Sequence, residues 1–247
     1  MSAIQSRQNP LVRHMKRLGA ERSYRYENGE FLCDGLRCLR EAAATDMVSA
    51  VFAVSELAEF RDLPITLVTP DILEYVSPLK NAQDVVFSCK IPSVAAELDP
   101  ARQYIVLDGV QDPGNVGTVI RTAAAFDFDG VVLVNDCADA YNPKTVRATM
   151  GALFKIDVIQ TTNDALEHAV SQGLHLCGAA LTPTARDIRT VNLRGASVAV
   201  GSEGAGLSGA VLQMCDTTVI IPMSRNVESL NAATAAAVLM WQLKIEN

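Results

Sequence analysis

The stretch DGVQDPGNVGTVIRTAAAF, residues 108–126, runs from the end of an apolar segment through a glycine and proline turn into a helical pattern. Two later stretches repeat this design: VGSEGAGLS from Val200, and IIPMSRNVESLNAATAAAVLMW from Ile220. In open α/β sheets, ligands bind at the carboxyl ends of strands, where such turns lie. The three stretches therefore predict three loops of one pocket.

The sequence around these stretches alternates between apolar runs and helical segments. Strand-like runs lie at 104–107, 131–134, 154–159, 174–181, 198–200 and 219–221, and a helical segment covers 232–243. Continuous apolar strands separated by helices are typical of a parallel sheet covered on both faces. We therefore expect a parallel α/β domain over residues 103–247.

The N-terminal part of the chain shows a smaller α/β pattern. Helices are expected to begin near Pro10 and Pro70 and to cover 36–44, with apolar runs at 31–33, 51–54 and 85–87. Pro92 and Pro100 punctuate the segment that follows, as is typical of a linker. We predict a first domain over residues 1–92 and a linker over 93–102.

The bulk composition is that of an ordinary globular protein, with 49% hydrophobic and 20% charged residues. No uninterrupted apolar span approaches the roughly 20 residues that a membrane helix needs. The sequence therefore predicts no membrane partner.

Charge is distributed unevenly along the chain, although the net charge is −7. In the first 25 residues a single acid, Glu21, faces a set of cations: Arg7, Arg13, Lys16, Arg17, Arg22 and Arg25. Clustered cations are typical of an RNA-contacting surface. They are equally typical of a solvated helix face, and at this point both interpretations stay open.

The cysteines and histidines show no catalytic or metal-binding spacing. The six cysteines are scattered without a C-x-x-C pair, which favours reduced thiols in a cytosolic protein. The three histidines, at 14, 168 and 175, have no partner arrangement typical of a metal site or a triad. We expect a mechanism with neither a metal ion nor a histidine base.

The first of the three stretches carries a candidate functional cation. Pro113 and Gly114 predict a turn, and Asn115 is placed to cap the helix that follows. Arg121 lies six residues further on, among apolar or small residues. Its charge must reach a cleft, an anion or a carboxylate; a surface or ion-paired arginine is the alternative.

The other two stretches differ from the common nucleotide-binding motifs. GSEGAG from Gly201 has the order G-x-x-G-x-G, whereas a nicotinamide-dependent oxidoreductase needs G-x-G-x-x-G, and no P-loop lysine follows. Its glycines allow close backbone approach to a ligand, and Glu203 adds a carboxylate. In the third stretch the polar residues Arg225, Asn226 and Glu228 precede an apolar helix that Ser229 is placed to cap.

Three motifs resemble the signature motifs of the SpoU/TrmH family of RNA ribose 2′-O-methyltransferases, and they occur in that family's order. They are Asn115-x-Gly-x-x-x-Arg121, Val200-Gly-Ser-Glu203-Gly, and Ile221-Pro-Met with Ser229-Leu-Asn231. The segment from Asn142-Pro143-Lys144 to Arg147-x-Thr149 is similar to that family's mid-domain segment.

The N-terminal domain is similar to the family's substrate-binding domain, which resembles a small ribosomal protein. The similarity lies in SRQNPLVRHMKRL from Ser6 and FLCDGLRCLREA from Phe31. Asp34 stands before Gly35 where the family more often has glutamate. The resemblance implies that this domain binds RNA.

The resemblance also implies a fold, a cofactor and site residues. The fold is a SPOUT domain, a parallel α/β sheet with a deep C-terminal trefoil knot, which acts as a homodimer. The methyl donor is S-adenosylmethionine, bound near Leu181, Gly201, Ile221, Met223, Ser229 and Leu230. The catalytic residues are Arg121, Asn115, Glu203, Ser229 and Asn231. Arg147 joins the N-terminal cations as an RNA contact, and Arg121 acts either as a base or as a phosphate anchor.

The resulting prediction is a cytosolic enzyme that methylates ribose 2′-hydroxyls in large-subunit ribosomal RNA. Transfer RNA is the alternative substrate. A non-catalytic RNA-binding protein is the alternative outside enzymes, which the joint presence of Arg121, Glu203 and Asn231 disfavours.

Overall fold

The computed structural model describes residues 3–78, 83–93, 97–224, 226 and 229–245. Its helices are α1 (Pro10–Ala20), α2 (Arg22–Asn28), α3 (Leu36–Ala43), α4 (Pro70–Val76), α5 (Pro113–Ala125), α6 (Pro143–Thr149), α7 (Asn163–Ser171), α8 (Gly209–Met214) and α9 (Ala232–Ile245). Its strands are β1 (Glu30–Asp34), β2 (Val48–Ala53), β3 (Ile65–Leu67), β4 (Val85–Lys90), β5 (Tyr104–Asp108), β6 (Gly130–Val134), β7 (Asp157–Gln160), β8 (Leu176–Ala179), β9 (Arg186–Asp187), β10 (Ser197–Gly201) and β11 (Thr217–Ile220). Among the described helices, none combines the length and apolar character that crossing a membrane requires.

The chain forms two compact units. The first unit contains residues 1–93 and 139–154, and the second contains residues 94–138 and 155–247. The segment 139–154, which the sequence analysis assigned to the domain over 103–247, thus packs with the N-terminal residues. The smaller unit thus includes α6 and the residues around it.

The first unit is built on a four-stranded sheet in the order β1-β4-β2-β3. β4 is antiparallel to both β1 and β2, and β2 is parallel to β3. Helix α1 begins where the Asn9 side chain accepts a hydrogen bond from the Leu11 amide at 2.9 Å. It then buries Val12, Met15 and Leu18, whose spacing of three places them on one helix face. This face packs into the core of the unit together with residues of the sheet and of α4.

Helix α2 and strand β3 of the first unit are missing from the sequence-based prediction. Helix α2 is short and polar, and it ends at Gly29, whose positive φ of 63° suits glycine. Strand β3 has only three residues. Neither is long enough to display a hydrophobic period, which is the signal that sequence patterns carry.

The second unit confirms the predicted parallel α/β domain. Its sheet has the order β7-β6-β5-β10-β8-β11-β9, and every pair of neighbouring strands is parallel. Strands β5, β6 and β10 are buried along their whole length. They therefore have helices or loops on both faces, as their continuous apolar sequence predicts.

Some strand boundaries differ from the prediction. The run 154–159 yields a strand only from Asp157, because 152–154 form a 3₁₀ turn. The run 174–181 yields the shorter strand β8, and the two-residue edge strand β9 was not predicted. Apolar residues beyond the strand ends pack in loops, so hydrophobicity alone overestimates strand length.

A buried ion pair ties the segment 139–154 into the first unit. Arg25 and Asp139 are 2% and 8% exposed, and the Arg25 Nη2 donates to Asp139 Oδ2 at 2.6 Å. The Tyr26 hydroxyl donates to the other carboxylate oxygen at 2.9 Å, and Arg25 Nη1 donates to the Leu18 carbonyl at 2.9 Å. Arg25 was predicted to contact RNA. The structure corrects this, because its charge is enclosed and paired.

Removal of one partner from this pair should destabilise the protein strongly. In Arg25→Ala, the Asp139 carboxylate stays buried without its cation, so we expect the free energy of unfolding to fall by about 3–5 kcal/mol. Urea unfolding measures this loss. Arg22→Ala, which removes a nearby exposed cation, should cost less than about 1 kcal/mol. Equal effects of the two substitutions would contradict the structural role of Arg25.

Candidate active site

Three loops meet at the carboxyl edge of the second sheet. The first loop (109–112) follows β5, the second loop (202–208) follows β10, and the third loop (221–231) follows β11. Because β10 is parallel to β5 and β8, and β8 is parallel to β11, these strands end at the same edge. In the third loop, Arg225, Val227 and Glu228 lie outside the described residues.

Helix α5 is capped by a different residue from the one predicted. The Asp112 side chain accepts a hydrogen bond from the Asn115 amide at 2.8 Å, and Pro113 is the first helical residue. Asn115 therefore lies in the first turn, and its own side chain is not used as a cap. This leaves the Asn115 carboxamide available to reach the second loop.

A single carboxylate oxygen links the three motifs. Glu203 Oε1 accepts hydrogen bonds from Asn115 Nδ2 at 2.8 Å and from Asn231 Nδ2 at 2.6 Å. Asn231 Nδ2 also donates to Asn115 Oδ1 at 2.9 Å. The predicted residues Asn115, Glu203 and Asn231 thus form one network, although 116 positions separate the two asparagines.

Asn231 has a second function as a helix cap. Its Oδ1 accepts hydrogen bonds from the amides of Ala233 at 3.0 Å and Thr234 at 3.2 Å, at the start of α9. Ser229 was predicted as a possible cap, and the structure assigns capping contacts to Asn231 instead. The side chain therefore fixes the beginning of α9 and the position of Glu203 together.

The second loop folds back tightly on the end of β10. The Ser202 amide donates to the Gly206 carbonyl at 3.2 Å, and the Gly206 amide donates to the Ser202 carbonyl at 2.9 Å. A side chain at position 201 would place its Cβ 2.0 Å from the Gly206 carbonyl carbon. Only glycine fits at position 201, because backbone atoms cannot move aside as a flexible side chain can.

A cavity of about 460 Å³ opens beside this loop. Its lining includes all six residues predicted to bind the methyl donor: Leu181, Gly201, Ile221, Met223, Ser229 and Leu230. Leu181 is 78% exposed and Met223 is 37% exposed, so the cavity offers apolar side chains to a ligand. Leu207, Leu212 and Ala235 also line it but were not predicted, since they carry no polar or glycine signal.

A second cavity of about 350 Å³ adjoins the first. It lies between the first and second loops and shares Ser202, Glu203 and Gly204 with the larger cavity. Asn115 lines it from the other side. The Glu203 network therefore stands at the border between two cavities, an arrangement suited to two ligands that must meet.

Arg121 is not part of this network. It is an exposed residue of α5, about 9 Å along the helix axis from Asn115, and it lines neither cavity. Within the described part of the chain, its guanidinium has no hydrogen bond or ion pair. The charge is thus free to bind an anion from solution.

Three thiols of this unit have low reactivity. Burial raises the pKa of Cys137 to about 11 and the pKa values of Cys177 and Cys215 to about 12. These thiols stay protonated at neutral pH and are poor nucleophiles. Within the described ranges, no group of histidine, cysteine and carboxylate side chains is arranged to hold a metal ion.

The basic residues of the first unit differ in availability. Arg7 pairs with Asp71 at 2.6 Å, Arg17 pairs with Glu21 at 2.7 Å, and Lys16 donates to the Tyr75 carbonyl at 2.7 Å. These cations already have protein partners, so less of their charge is available to RNA phosphates.

Three of the predicted RNA contacts are exposed and form no salt bridge in the described part of the unit: Arg13, Arg22 and Arg147. Arg22 lies over the Tyr26 ring, 5.7 Å from its centroid. Together they supply positive charge at the surface, which RNA phosphates can use.

The second unit is a parallel α/β domain with two adjoining cavities at the carboxyl ends of its strands. This arrangement is typical of an enzyme that brings two ligands together. The chain belongs to the SpoU rRNA Methylase family, whose model matches residues 102–241. It is therefore an RNA methyltransferase.

Relatives and solved structures agree with this membership. The Bacillus subtilis protein 23S rRNA (guanosine(2553)-2′-O)-methyltransferase RlmP is 32% identical over 250 residues, which cover 99% of this chain and 100% of that protein. An AdoMet-bound rRNA methyltransferase from Sinorhizobium meliloti has a TM-score of 0.90 at 25% identity, covering 99% of this chain and 97% of that one. AviRb from Streptomyces viridochromogenes, a SpoU methyltransferase in complex with AdoMet, has a TM-score of 0.87 at 26% identity, covering 97% and 98%.

Substitution of Gly201 tests the packing of the second loop. In Gly201→Ala, the new Cβ meets the Gly206 backbone. We therefore expect the free energy of unfolding to fall by about 1–3 kcal/mol and the cavity wall to shift. Gly204→Ala is a matched control, because a Cβ at position 204 meets nothing within 4 Å. Thermal unfolding of both variants measures the difference. A Gly201→Ala variant as stable as Gly204→Ala would refute the close packing.

Proposed function

We propose that this chain transfers a methyl group from S-adenosylmethionine to a ribose 2′-hydroxyl of large-subunit ribosomal RNA. The S–CH₃ bond breaks as the O–CH₃ bond forms, S-adenosylhomocysteine leaves, and the hydroxyl proton is released to solvent. The observation that carries the proposal is the Glu203 network at the border of two adjoining cavities. The RlmP relative is named for this reaction on 23S rRNA, and the S. meliloti and AviRb structures contain AdoMet. These facts favour one cavity for the donor and one for the substrate ribose.

The residues around the larger cavity fit S-adenosylmethionine. Leu181, Met223 and Leu230 offer apolar surface to an adenine ring, and the strand ends at Gly201 and Ile221 offer backbone donors and acceptors. The volume of about 460 Å³ lies in the range of small-ligand pockets. When bound, the donor supplies a methyl group on a positively charged sulfur, which makes the methyl carbon electrophilic.

The polar residues of the site position the substrate. Asn115, Glu203 and Asn231 hold the three loops in a fixed relation, so that the two cavities keep their alignment. Ser229 offers its hydroxyl to the wall of the larger cavity. Arg121 binds the phosphate next to the target ribose, because a free guanidinium stays protonated and is a better phosphate anchor than a base.

Arg121→Ala should separate methyl transfer from donor binding. Loss of the cation leaves the phosphate unanchored, so we expect kcat to fall by about 100- to 1,000-fold. The affinity for S-adenosylmethionine, measured by calorimetry, should stay unchanged because Arg121 does not line the donor cavity. Arg194→Ala, at another exposed cation of the same unit, should keep normal turnover. Normal turnover of Arg121→Ala would refute its role.

The nature of the RNA can be decided by transfer of a labelled methyl group. We expect the label from methyl-labelled S-adenosylmethionine to enter 23S rRNA as a 2′-O-methyl nucleotide. Label in transfer RNA would favour the alternative substrate. No label in any RNA would favour a non-catalytic RNA-binding protein.

We also propose that the chain forms a homodimer through α5 and α9. Helix α9 packs on α5, yet its apolar residues Val238 and Trp241 are 38% and 56% exposed. The Trp241 ring lies 5.8 Å from the Phe126 ring, centroid to centroid. A cluster of exposed apolar side chains of this kind is typical of a protein interface.

Trp241→Glu should convert the dimer to a monomer, because a carboxylate would have to be buried in an apolar contact. Analytical ultracentrifugation measures the mass. Trp241 is the single tryptophan, so its emission should shift to the red when the wild-type dimer dissociates. The control Gln172→Glu, at the exposed end of α7, should remain dimeric. A wild-type chain that sediments as a monomer would contradict the proposal.

The deep trefoil knot that the family resemblance implies is also part of our proposal. β11 lies beyond β8 in the sheet, whereas α9 packs against α5 and β10, so the third loop returns across the strand ends. The small residues Ala232, Ala233 and Ala236 are buried in α9. A crystal structure in which the C-terminal segment passes outside the other loops would refute a knot.

We also propose that the protein is located in the cytosol. The six cysteines are free thiols in the structure, and reduced thiols are typical of the cytosol. Fractionation of cells that express the protein tests this, and recovery in an exported fraction would contradict it.

A further inference from the structure

A small cavity of about 190 Å³ lies in the first unit, between the turn that joins β1 to α3 and the helix α6. It shares no residue with the two cavities of the active site. The residues that line it are Asp34, Gly35, Arg37, Cys38, Gln83, Val146, Arg147 and Met150. It combines a carboxylate, two guanidinium groups and apolar side chains around a space of nucleobase scale.

The charged groups of this cavity form no salt bridge within the described part of the chain. The Asp34 carboxylate is half-buried, yet it has no hydrogen bond or ion pair within the described part of the chain. The same holds for the guanidinium groups of Arg37 and Arg147. Burial raises the pKa of Asp34, and the charge of Arg147 opposes that shift. Asp34 and Arg147 thus interact electrostatically, and both stay accessible to a ligand that enters the cavity.

Residues with positive φ lie on both sides of the cavity. Gly35 has a φ of 87°, which fixes the sharp turn before α3. Met150, the C-cap of α6, has a φ of 53° and is 41% exposed. The end of α6 thereby places a long apolar side chain at the rim of the cavity.

We propose that this cavity binds an unpaired guanine of the RNA substrate, with the Asp34 carboxylate accepting hydrogen bonds from the N1–H and N2 amino groups. Of the four RNA bases, only guanine presents two adjacent donors on its Watson–Crick edge, and a carboxylate offers two adjacent acceptors. Val146 and Met150 supply apolar contact to the ring. This inference rests on the proposed RNA substrate, and it assigns recognition of one base of that RNA to the first unit.

The two arginines complete the recognition of a nucleotide. Their guanidinium planes can stack on a splayed-out base or bind its phosphate, the two contacts by which proteins hold single-stranded RNA. Their position beside Asp34 also offsets the repulsion between its carboxylate and the RNA backbone. An isolated carboxylate would repel RNA, whereas this grouping attracts it.

Titration of the full-length chain with nucleotides, followed by NMR, tests the proposal. S-adenosylhomocysteine is present at saturation, so that the donor cavity is filled. Guanosine monophosphate should shift the amide signals of residues 34–38 and 146–150. Inosine monophosphate, which lacks the N2 amino group, should bind about tenfold more weakly, and the adenosine, cytidine and uridine monophosphates should bind at least as weakly as inosine.

Variants identify the groups that carry the binding. Asp34→Asn should lose the preference for guanosine monophosphate, whereas Asp62→Asn, at an exposed carboxylate of the same unit, should keep it. Arg147→Ala should lower the affinity for guanosine monophosphate, whereas Arg61→Ala should not. Absence of shifts around the cavity, or equal affinity of Asp34→Asn and wild type for guanosine monophosphate, would overturn the proposal.

Methyl transfer to RNA provides a readout that separates this inference from the proposed function. Asp34→Asn should raise the KM for RNA about tenfold with an unchanged kcat, because the reacting groups lie elsewhere. If the wild-type chain fails to methylate RNA, the proposed function fails while the nucleotide titration still reports on the cavity. If wild type methylates RNA and Asp34→Asn has the same KM, only the guanine site is refuted.

Discussion

The carboxylate of Glu203 is the contact on which the active site depends. One of its oxygens accepts hydrogen bonds from Asn115, in the first turn of the helix after β5, and from Asn231, in the loop after β11. Such charge-assisted hydrogen bonds are stronger than neutral ones. They are available only if the sheet order places β5, β10 and β11 close together with their carboxyl ends on one side. The parallel sheet of the second unit meets that requirement, so the topology of the sheet determines the geometry of the site.

The same contact explains the use of small residues nearby. The second loop must turn back on β10 before Glu203 can face the two asparagines, and this turn brings the Gly206 backbone against position 201. Asn231 also caps α9, so the start of that helix is fixed by the side chain that bonds Glu203. A displacement in any one loop would therefore change the wall of both cavities.

Sequence reasoning predicted the parts of the molecule that have strong local signals. The continuous apolar strands give a parallel sheet, and the glycine and asparagine turns after them converge at its edge. The capping of α5 by Asp112 was not predicted, because Asp112 and Asn115 are both good caps and only tertiary contacts decide between them. The family resemblance predicted the donor-binding residues that line the larger cavity. Leu207 and Leu212 also line it but were not predicted, because an apolar residue in a cavity wall has the same sequence pattern as a core residue.

Long-range contacts account for the remaining differences. The basic segment around Arg25 predicts a surface cation. In the structure Arg25 is buried and paired with Asp139, which lies 114 positions away in the sequence. The same pair draws 139–154 into the first unit, across the boundary that the linker composition indicates. The smaller unit thereby gains α6 and, with it, the cavity that holds Asp34 and Arg147.

A double-mutant cycle on Asn115 and Asn231, read out as kcat/KM for methyl transfer, tests most directly whether the three loops act as one site. Both amides donate to the same oxygen of Glu203, so Asn115→Ala and Asn231→Ala should each lower kcat/KM, and the double variant should lower it little further. We expect a coupling energy of about 0.5–3 kcal/mol between them. Losses that simply multiply, with no coupling, would contradict a site held together by Glu203.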